Sequence, residues 1–386
     1  MCVAQVCNLL PHVVVPAIMA QHLMPLWHLS AAQAGLMASA YAFGYMLAVP
    51  VLTGLTDRFD ARGILLAGSA ASGLGAIAFG LFADGLLSAS LLWAISGAGF
   101  GGAYMPGLKA LTDRLPAGDV SRSVTLYTSS FSVGVGLSFL VAQITADHFG
   151  WRVAFIATGI APLAMVIVSM MLAPFTPTPS PGHPLDFRPV FRNRNALGYI
   201  FGYGVHCFEL YGMRTWFVAY WTFVVARQSG EAWLGPITVS VLVSVLSLPA
   251  SILGNEASIR FGRHRAITAI MLASAALALG VGFGATLPPI LLLPIVLLYA
   301  FTVPGDSGSL TAGMSQSAVP ANRGATMALH STVGFGLSAF GAWGTGVALD
   351  LAGGPDSAAG WQAAFGLLAA GTLLGPLVLK WSAAKR

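Results

Sequence analysis

The chain has 386 residues, of which 56% are hydrophobic and only 8% charged, and its mean hydropathy is +0.79. Soluble domains carry about 25% charged residues, so this composition excludes a water-soluble domain with an ordinary polar surface. The net charge of +5 does not predict a nucleic-acid partner, because the basic residues are scattered in short loops. The composition therefore predicts a protein that crosses a lipid bilayer many times.

Twelve apolar segments are long enough to cross the bilayer, for which a helix needs about 20 residues. Turn residues or charges separate them, as at Asp57-Arg58 and Asp84-Gly85. The runs are continuously apolar, which favours helices over the short alternating strands of a membrane β-barrel. The predicted segments, numbered span 1 to span 12, are 3–26, 31–52, 64–83, 87–110, 122–144, 152–174, 197–224, 234–253, 265–285, 288–312, 325–347 and 359–381.

The Lys and Arg residues predict the orientation of these spans. If both termini lie on one side, fifteen of the 18 Lys and Arg residues fall on that side, Arg152 and Arg227 fall on the other, and Arg214 lies inside span 7. Cytoplasmic loops of membrane proteins are rich in Lys and Arg. We therefore expect both termini in the cytoplasm and the protein in a bacterial-type inner (plasma) membrane. We expect no signal peptide, because the chain begins without a basic leader.

Short motifs recur in the two halves of the chain. Residues 133–138 (VGVGLS) recur as 333–338 (VGFGLS), and Gly150-Trp151 recurs as Gly360-Trp361. Two further short matches keep the same order and the same offset of about 200 residues, which indicates an internal duplication. The repeat predicts two like-oriented sets of six helices.

The longest polar break, at 176–195, contains prolines and arginines and separates the two sets. We therefore predict an N-terminal six-helix bundle at 1–175, a cytoplasmic linker loop at 176–195 and a C-terminal six-helix bundle at 196–386. Two such halves with a substrate site between them at mid-membrane form a transporter architecture.

The segment between spans 2 and 3, residues 54–62 (GLTDRFDAR), resembles the loop signature of the major facilitator superfamily. That signature has a glycine, an acidic residue, an arginine and a further basic cluster. The resemblance implies an all-α polytopic membrane protein with twelve transmembrane helices in two pseudo-symmetric six-helix bundles. It also implies a gating role for Asp57, Arg58 and Arg62. In the second copy of the motif, Ile259 occupies the acidic position.

Ionisable residues inside the spans are the candidates for binding. Each costs about 2.5–3.5 kcal/mol at the centre of a membrane helix, so such residues are functional candidates by default. In the resembled family, helices 1, 4, 7 and 10 line the central cavity, and all candidates but one fall on these helices. The candidates are His12 in span 1, His206, Glu209 and Arg214 in span 7, Asp306 in span 10 and His330 in span 11.

Arg214 is predicted to bind a carboxylate or another anion, because its guanidinium has a forked donor geometry. Glu209 would then be the partner that takes up a proton. The two residues are five apart, which turns them by about 140° on a helix, so they would meet across a turn or through water. The alternative is an ion pair between helices that orders the bundle.

Asp306 lies in the sequence Pro304-Gly305-Asp306, where the helix is easily loosened. Its carboxylate could bind a proton or a cation, with His330 as its partner. The alternative for Asp306 is a carboxylate hydrogen-bonded to Ser307 or Ser309. For His330 and His12 the alternative is a hydrogen-bonded packing residue.

We predict a secondary active transporter that works by alternating access and carries a small organic anion with protons. Proton coupling is favoured because buried carboxylates and histidines are present, whereas a nucleotide-binding motif is not visible. The alternatives are an uncoupled facilitator, a drug or metabolite efflux pump and, further off, a receptor or scaffold. No catalytic or zinc-ligand motif is visible, so we expect no enzyme, no cofactor and no metal. The expected partners are a small-molecule substrate, protons and lipid, with the protein as a monomer.

Overall fold

The computed structural model describes residues 1–115, 120–177, 186–227, 234–319 and 322–383. Within these residues the secondary structure is helical, and ten helices are long and apolar enough to cross a membrane. They correspond to ten of the twelve predicted spans. The ten are span 2 (Ala31–Leu55), span 3 (Ala61–Phe82), span 4 (Leu86–Thr112), span 5 (Val120–Phe149), span 6 (Trp151–Ser169), span 8 (Pro236–Phe261), span 9 (Arg263–Phe283), span 10 (Pro289–Ser317), span 11 (Arg323–Leu351) and span 12 (Ala358–Ala383).

The other two predicted spans are helical but differ from the ten. Span 7 is one helix, Arg194–Ala226, which is long enough to cross but carries the buried polar residues of the candidate site. Span 1, predicted at 3–26, is not one continuous helix. Span 1 is instead divided, because prolines interrupt helical hydrogen bonding, and its pieces are the α-helix Cys2–Asn8, the α-helix Val14–Ile18, the π-helix Met19–Leu23 and the α-helix Met24–Trp27.

The predicted fold class, an all-α membrane protein with twelve spans in two bundles, is confirmed. An even number of crossings leaves both termini on one face, which we call the terminal face, and the other is the opposite face. The predicted bundle limits of 1–175 and 196–386 stay a prediction. Of the predicted linker, residues 178–185 lie outside the described residues.

Local sequence explains where several helices begin. Ser30 caps span 2 through a capping box, in which its side chain accepts from the Gln33 backbone N–H and the Gln33 side chain accepts from the Ser30 N–H. Asp60 caps span 3 by accepting from the backbone N–H of Arg62 at 2.9 Å. These caps satisfy backbone donors that a helix leaves free at its start.

Glycines set the distance between spans 2 and 4. A Cβ atom on Gly44 would lie 2.0 Å from the Ala94 carbonyl oxygen, and one on Gly97 would lie 2.0 Å from the Tyr41 carbonyl oxygen. Neither position could carry a side chain without moving the helices apart. The two backbones therefore touch, as membrane helices do at small residues.

The sequence repeat is also a repeat of contacts. The first glycine of each motif packs against the first span of its own half: Gly134 against Leu9, and Gly334 against Tyr203. The second glycine of each motif instead faces the other half, so that Gly136 lies against Ser244 in span 8 and Gly336 against Met46 in span 2. The duplicated sequence thus builds the same contact twice, related by the pseudo-symmetry of the halves.

The two halves meet along spans 2 and 11, 5 and 8, and 1 and 7. Near mid-membrane, the rings of Tyr45 and Phe335 stack with their centres 3.7 Å apart. Toward the opposite face, a Cβ atom on Gly346 would lie only 2.3 Å from the Ala31 carbonyl oxygen. Spans 2 and 11 therefore run in contact from the middle of the membrane to the opposite face, which is closed in this structure.

Candidate functional site

Arg214 lies at the centre of the protein, between the two halves. Its side chain is buried, with 8% of the residue exposed, and its guanidinium carbon stands 5.4 Å from the centre of the Tyr211 ring. Arg214 lines two small cavities, one of about 20 Å³ between spans 1, 2, 7 and 11 and one of about 10 Å³ between spans 5, 7 and 8. Its Nη1 atom has no hydrogen-bond partner among the described residues. This arrangement offers a positive charge to a cavity.

His12 borders the larger cavity from span 1. Its Nε2 atom lies 3.2 Å from the Tyr211 hydroxyl, and aromatic rings from four other spans surround the imidazole. Its Nδ1 atom is buried without a partner in the described part of the chain. The ring centres lie 5.1 to 5.8 Å from that of His12 and belong to Tyr41, Phe100, Phe131 and Tyr211.

His206 and Asp306 form a buried pair between spans 7 and 10. His206 Nδ1 and Asp306 Oδ1 are 2.7 Å apart, and only 2% and 4% of the two side chains are exposed. The contact is close, although the two atoms do not meet in hydrogen-bond alignment. Asp306 ends a 3₁₀ turn, Val303–Asp306, that interrupts span 10, as the proline and glycine before it predicted.

The expected pairing of Asp306 with His330 was wrong. His330 instead stacks on Tyr203 with ring centres 3.9 Å apart, and its Nε2 atom lies 3.5 Å from the Thr311 hydroxyl. Tyr203 also stacks against His206 at 5.6 Å. Because Tyr203 lies between the two imidazoles, His330 is a neighbour of the His206–Asp306 pair and not a member of it.

Glu209 does not pair with Arg214. Its carboxylate accepts a hydrogen bond of 2.7 Å from the Ser274 hydroxyl in span 9, and Tyr299 of span 10 lies beside it. The turn of about 140° between positions 209 and 214 sends the two side chains to different neighbours. Glu209 therefore shares the interior of the C-terminal half with His206 and Asp306, with which it interacts electrostatically.

The loop predicted to act as a gate is bound to its own half. Arg62 donates to the Met170 carbonyl oxygen at 2.5 Å, whereas Arg58 is exposed and Asp57 is half-buried. Within the described residues, Asp57 has neither an ion pair nor a side-chain hydrogen bond. The ion pair of this region is formed by Asp60 and Arg114, whose Nη2 atom lies 2.7 and 2.8 Å from the two carboxylate oxygens. The gating role of Asp57, Arg58 and Arg62 stays a prediction.

Several opposing effects act on the pKa of Asp60. Burial raises it, but hydrogen bonds from Arg114 and from the backbone N–H groups of Arg62 and Phe175 stabilise the charged form. The net result is a pKa of Asp60 below its ordinary value. This carboxylate therefore ties spans 3, 4 and 6 together as an anion at neutral pH.

Sequence reasoning missed the ion pair of Asp60 with Arg114 and the aromatic lining of the larger cavity. Asp60 stands directly before the first residue of span 3, and an acidic residue at that position is a helix-cap signal. Arg114 and the aromatic lining of the larger cavity had no comparable signal, because tertiary packing brings distant spans together. Among the described residues, no group of three or more His, Cys, Asp or Glu side chains could hold a metal ion.

A family model and two known proteins match the sequence of this chain. The family model of the Major Facilitator Superfamily matches residues 1–342. A gallate transporter of Pseudomonas putida is 30% identical over 165 residues, which are 42% of this chain and 36% of that protein. A niacin transporter, NiaP of Acinetobacter baylyi, is 27% identical over 142 residues, which are 37% of this chain and 32% of that protein. The matched region thus spans about a third of each relative.

Solved structures share the fold across the whole chain. The POT family transporter PepTSo has a TM-score of 0.79 at 14% identity, covering 99% of this chain and 96% of that one. A bacterial homolog of the human lysosomal transporter Spinster, in an inward-facing and unoccupied conformation, has a TM-score of 0.73 at 16% identity, covering 99% and 94%. The two relatives are both named as transporters. With its family model, its twelve spans and its repeated halves in agreement, the chain belongs to the major facilitator superfamily.

Proposed function

We propose that this transporter carries small aromatic carboxylates together with protons. The observation that carries the proposal is Arg214, a buried guanidinium that lines both central cavities and whose Nη1 atom has no hydrogen-bond partner in the described part of the chain. A buried cation needs a counter-charge, because an unpaired charge in a low-dielectric site is costly. With Glu209 turned toward Ser274, a bound anion is the natural partner of Arg214.

The lining of the cavities supports an aromatic substrate. Tyr41, Tyr211 and His12 border the larger cavity, and Phe139 and Phe217 border the smaller one. Flat aromatic walls favour a ring, which gains both buried apolar area and ring–ring contacts of about 0.5–1.5 kcal/mol. Gallate and niacin, after which the two relatives are named, are both aromatic carboxylic acids.

The buried pair of His206 and Asp306 supports proton coupling. With one proton, the pair is either a neutral acid beside a neutral imidazole or a carboxylate beside an imidazolium, and in both cases its net charge is zero. Without that proton, its net charge is −1. Loading and release of one proton would therefore switch the net charge between spans 7 and 10 from 0 to −1 and back. Asp306 is the acid in this scheme, Glu209 is its electrostatic neighbour, and His330 is a neighbour of His206.

The distribution of Lys and Arg supports a cytoplasmic terminal face in a bacterial-type inner membrane. With spans 2 and 11 in contact at the opposite face, this structure would then be a conformation closed on the side away from the cytoplasm. Each half contributes one wall of the cavity, so a monomer contains the complete site. A rocking motion of the halves around Arg214 would expose the bound anion to each side in turn.

Transport by purified protein in liposomes tests the proposal. Uptake of radiolabelled nicotinate, gallate and benzoate is measured with an acidic outer buffer, with protein-free liposomes as the control for passive diffusion of the acids. We expect accumulation above equilibrium that a protonophore abolishes, and competition by aromatic carboxylates but not by the neutral amide nicotinamide.

Other outcomes would identify the alternatives. Uptake that reaches equilibrium only and ignores the protonophore would mean an uncoupled facilitator. A preference for cationic or amphipathic compounds would overturn the anion site and favour an efflux pump.

A further inference from the structure

The opposite face contains an electrostatic contact between the two halves. Asp350, at the end of span 11, accepts hydrogen bonds from the backbone N–H groups of Ala31 and Ala32, at 2.9 Å to Oδ1 and 2.7 Å to Oδ2. Ala31 and Ala32 are the first two residues of span 2. A carboxylate of the C-terminal half therefore caps a helix of the N-terminal half.

The cap is complete only when the two halves meet. Ser30 and Gln33 satisfy donors at the start of span 2 from within the N-terminal half, but the N–H groups of Ala31 and Ala32 depend on Asp350. A helix N-terminus carries about half a positive charge, which favours a carboxylate over a neutral group. When the halves separate at this face, the two backbone N–H groups lose their acceptor and the carboxylate loses both of its donors.

The surrounding packing places this contact at a closely packed end of the interface between the two halves. Besides the contact at Gly346, a Cβ atom on Gly35 would lie 2.7 Å from the Ala342 carbonyl oxygen. Trp216 of span 7 donates to the same oxygen at 2.9 Å. Spans 2 and 11 thus touch backbone to backbone within a few turns of Asp350. The two helices are therefore packed together at the end where Asp350 binds span 2.

We propose that Asp350 is the gating residue of the opposite face, which holds the transporter closed on that side through the amino end of span 2. Opening toward the opposite face must break both hydrogen bonds in every cycle. The proposal concerns the alternation of the halves and does not depend on the identity of the substrate or on proton coupling.

The test measures access to the cavity from each side. A single reporter cysteine replaces Ala38, which lines the larger cavity, in a background where Cys2, Cys7 and Cys207 are serine. A membrane-impermeant maleimide then labels the reporter from either face of sealed vesicles. We expect Asp350→Asn to raise labelling from the opposite face about fivefold and to lower it from the terminal face. That factor corresponds to about 1 kcal/mol, the value of one helix cap.

Two further variants make the result decisive. Asp356 is an exposed carboxylate in the loop that follows Asp350, so Asp356→Asn removes the same charge from the same face and should leave both rates unchanged. Asp350→Glu keeps the charge and should restore most of the closure. Unchanged rates in Asp350→Asn would overturn the proposal. An equal rise in labelling from both faces would also overturn it, because it would indicate a loosened protein instead of a shifted gate.

Discussion

Replacement of Arg214 is the most direct perturbation of the proposed site. Removal of one partner of a buried, hydrogen-bonded charge pair costs about 2–5 kcal/mol. Since about 1.4 kcal/mol changes an affinity tenfold, Arg214→Ala should weaken binding of an aromatic carboxylate by roughly 30-fold to several thousand-fold. Arg214→Lys keeps the charge but loses the fork that matches two carboxylate oxygens. We expect an intermediate loss of about tenfold, the equivalent of one charge-assisted hydrogen bond.

Equilibrium binding to the purified protein measures these losses without the complication of transport. Nicotinate and gallate are titrated into wild-type protein and into each variant by calorimetry. Arg227→Ala is the matched control, because Arg227 is an exposed arginine at the end of the same helix. Nicotinamide, which lacks the negative charge, should bind weakly and equally to all variants.

Arg214 is not the anion site if Arg214→Ala binds nicotinate and gallate within about threefold of wild type. The same conclusion follows if the neutral amide loses as much affinity as the acids, since the arginine would then support the shape of the cavity and not the charge of the ligand.

Three further variants separate the roles of the acidic residues. Asp306→Asn should abolish accumulation driven by a pH gradient but preserve exchange at equal concentrations, which parallel uptake and counterflow assays distinguish. Glu209→Gln should not weaken the binding of nicotinate, because Glu209 faces Ser274 and not the anion site; a large loss of affinity in calorimetry would contradict this placement. Asp60→Asn should lower thermal stability by roughly 1 kcal/mol at neutral pH through loss of the Arg114 pair. Because the pKa of Asp60 is lowered in the folded protein, the charged carboxylate stabilises the wild type at pH values above the ordinary pKa of an aspartate. The difference in melting temperature between wild type and Asp60→Asn should therefore vanish as the pH falls through the lowered pKa of Asp60.

The number and order of the spans could be predicted from the sequence, because lipid requires long apolar helices and the loops between them carry charges. The division of span 1 could not. Pro11, Pro16 and Pro25 lie within it, but a membrane helix accommodates a proline when neighbouring groups satisfy the freed backbone. Whether the helix bends or breaks depends on those neighbours. Here Ser138 of span 5 donates to the Leu10 carbonyl oxygen within the interrupted stretch.

For the candidate site, the residues could be identified from the sequence but their contacts could not. The cost of ionisable groups in lipid singled out six candidates within the predicted spans, and each of them is buried. Their partners could not be read from the chain, because partner choice depends on the rotation of each helix relative to its neighbours. The angle of 140° between Glu209 and Arg214 already argued against direct pairing. Asp306 pairs with His206 and not His330 because Tyr203 occupies the space beside His330.

The distance between the anion site and the proton pair determines whether the two can be coupled. His206 and Arg214 are eight residues apart on one helix, which is about 12 Å along its axis. At an effective dielectric constant of about 20, two unit charges at that distance interact by about 1.4 kcal/mol. An anion held by Arg214 should therefore bind about tenfold more tightly when the His206–Asp306 pair is protonated and uncharged than when it carries its charge of −1. Titration of nicotinate against pH should show this tenfold step in the wild type, whereas Asp306→Asn, in which the charge of −1 cannot form, should bind nicotinate at high pH as tightly as the protonated wild type does. A step of equal size in that variant would place the coupling proton elsewhere, and Glu209, the other buried acid near the pair, would be the next residue to neutralise.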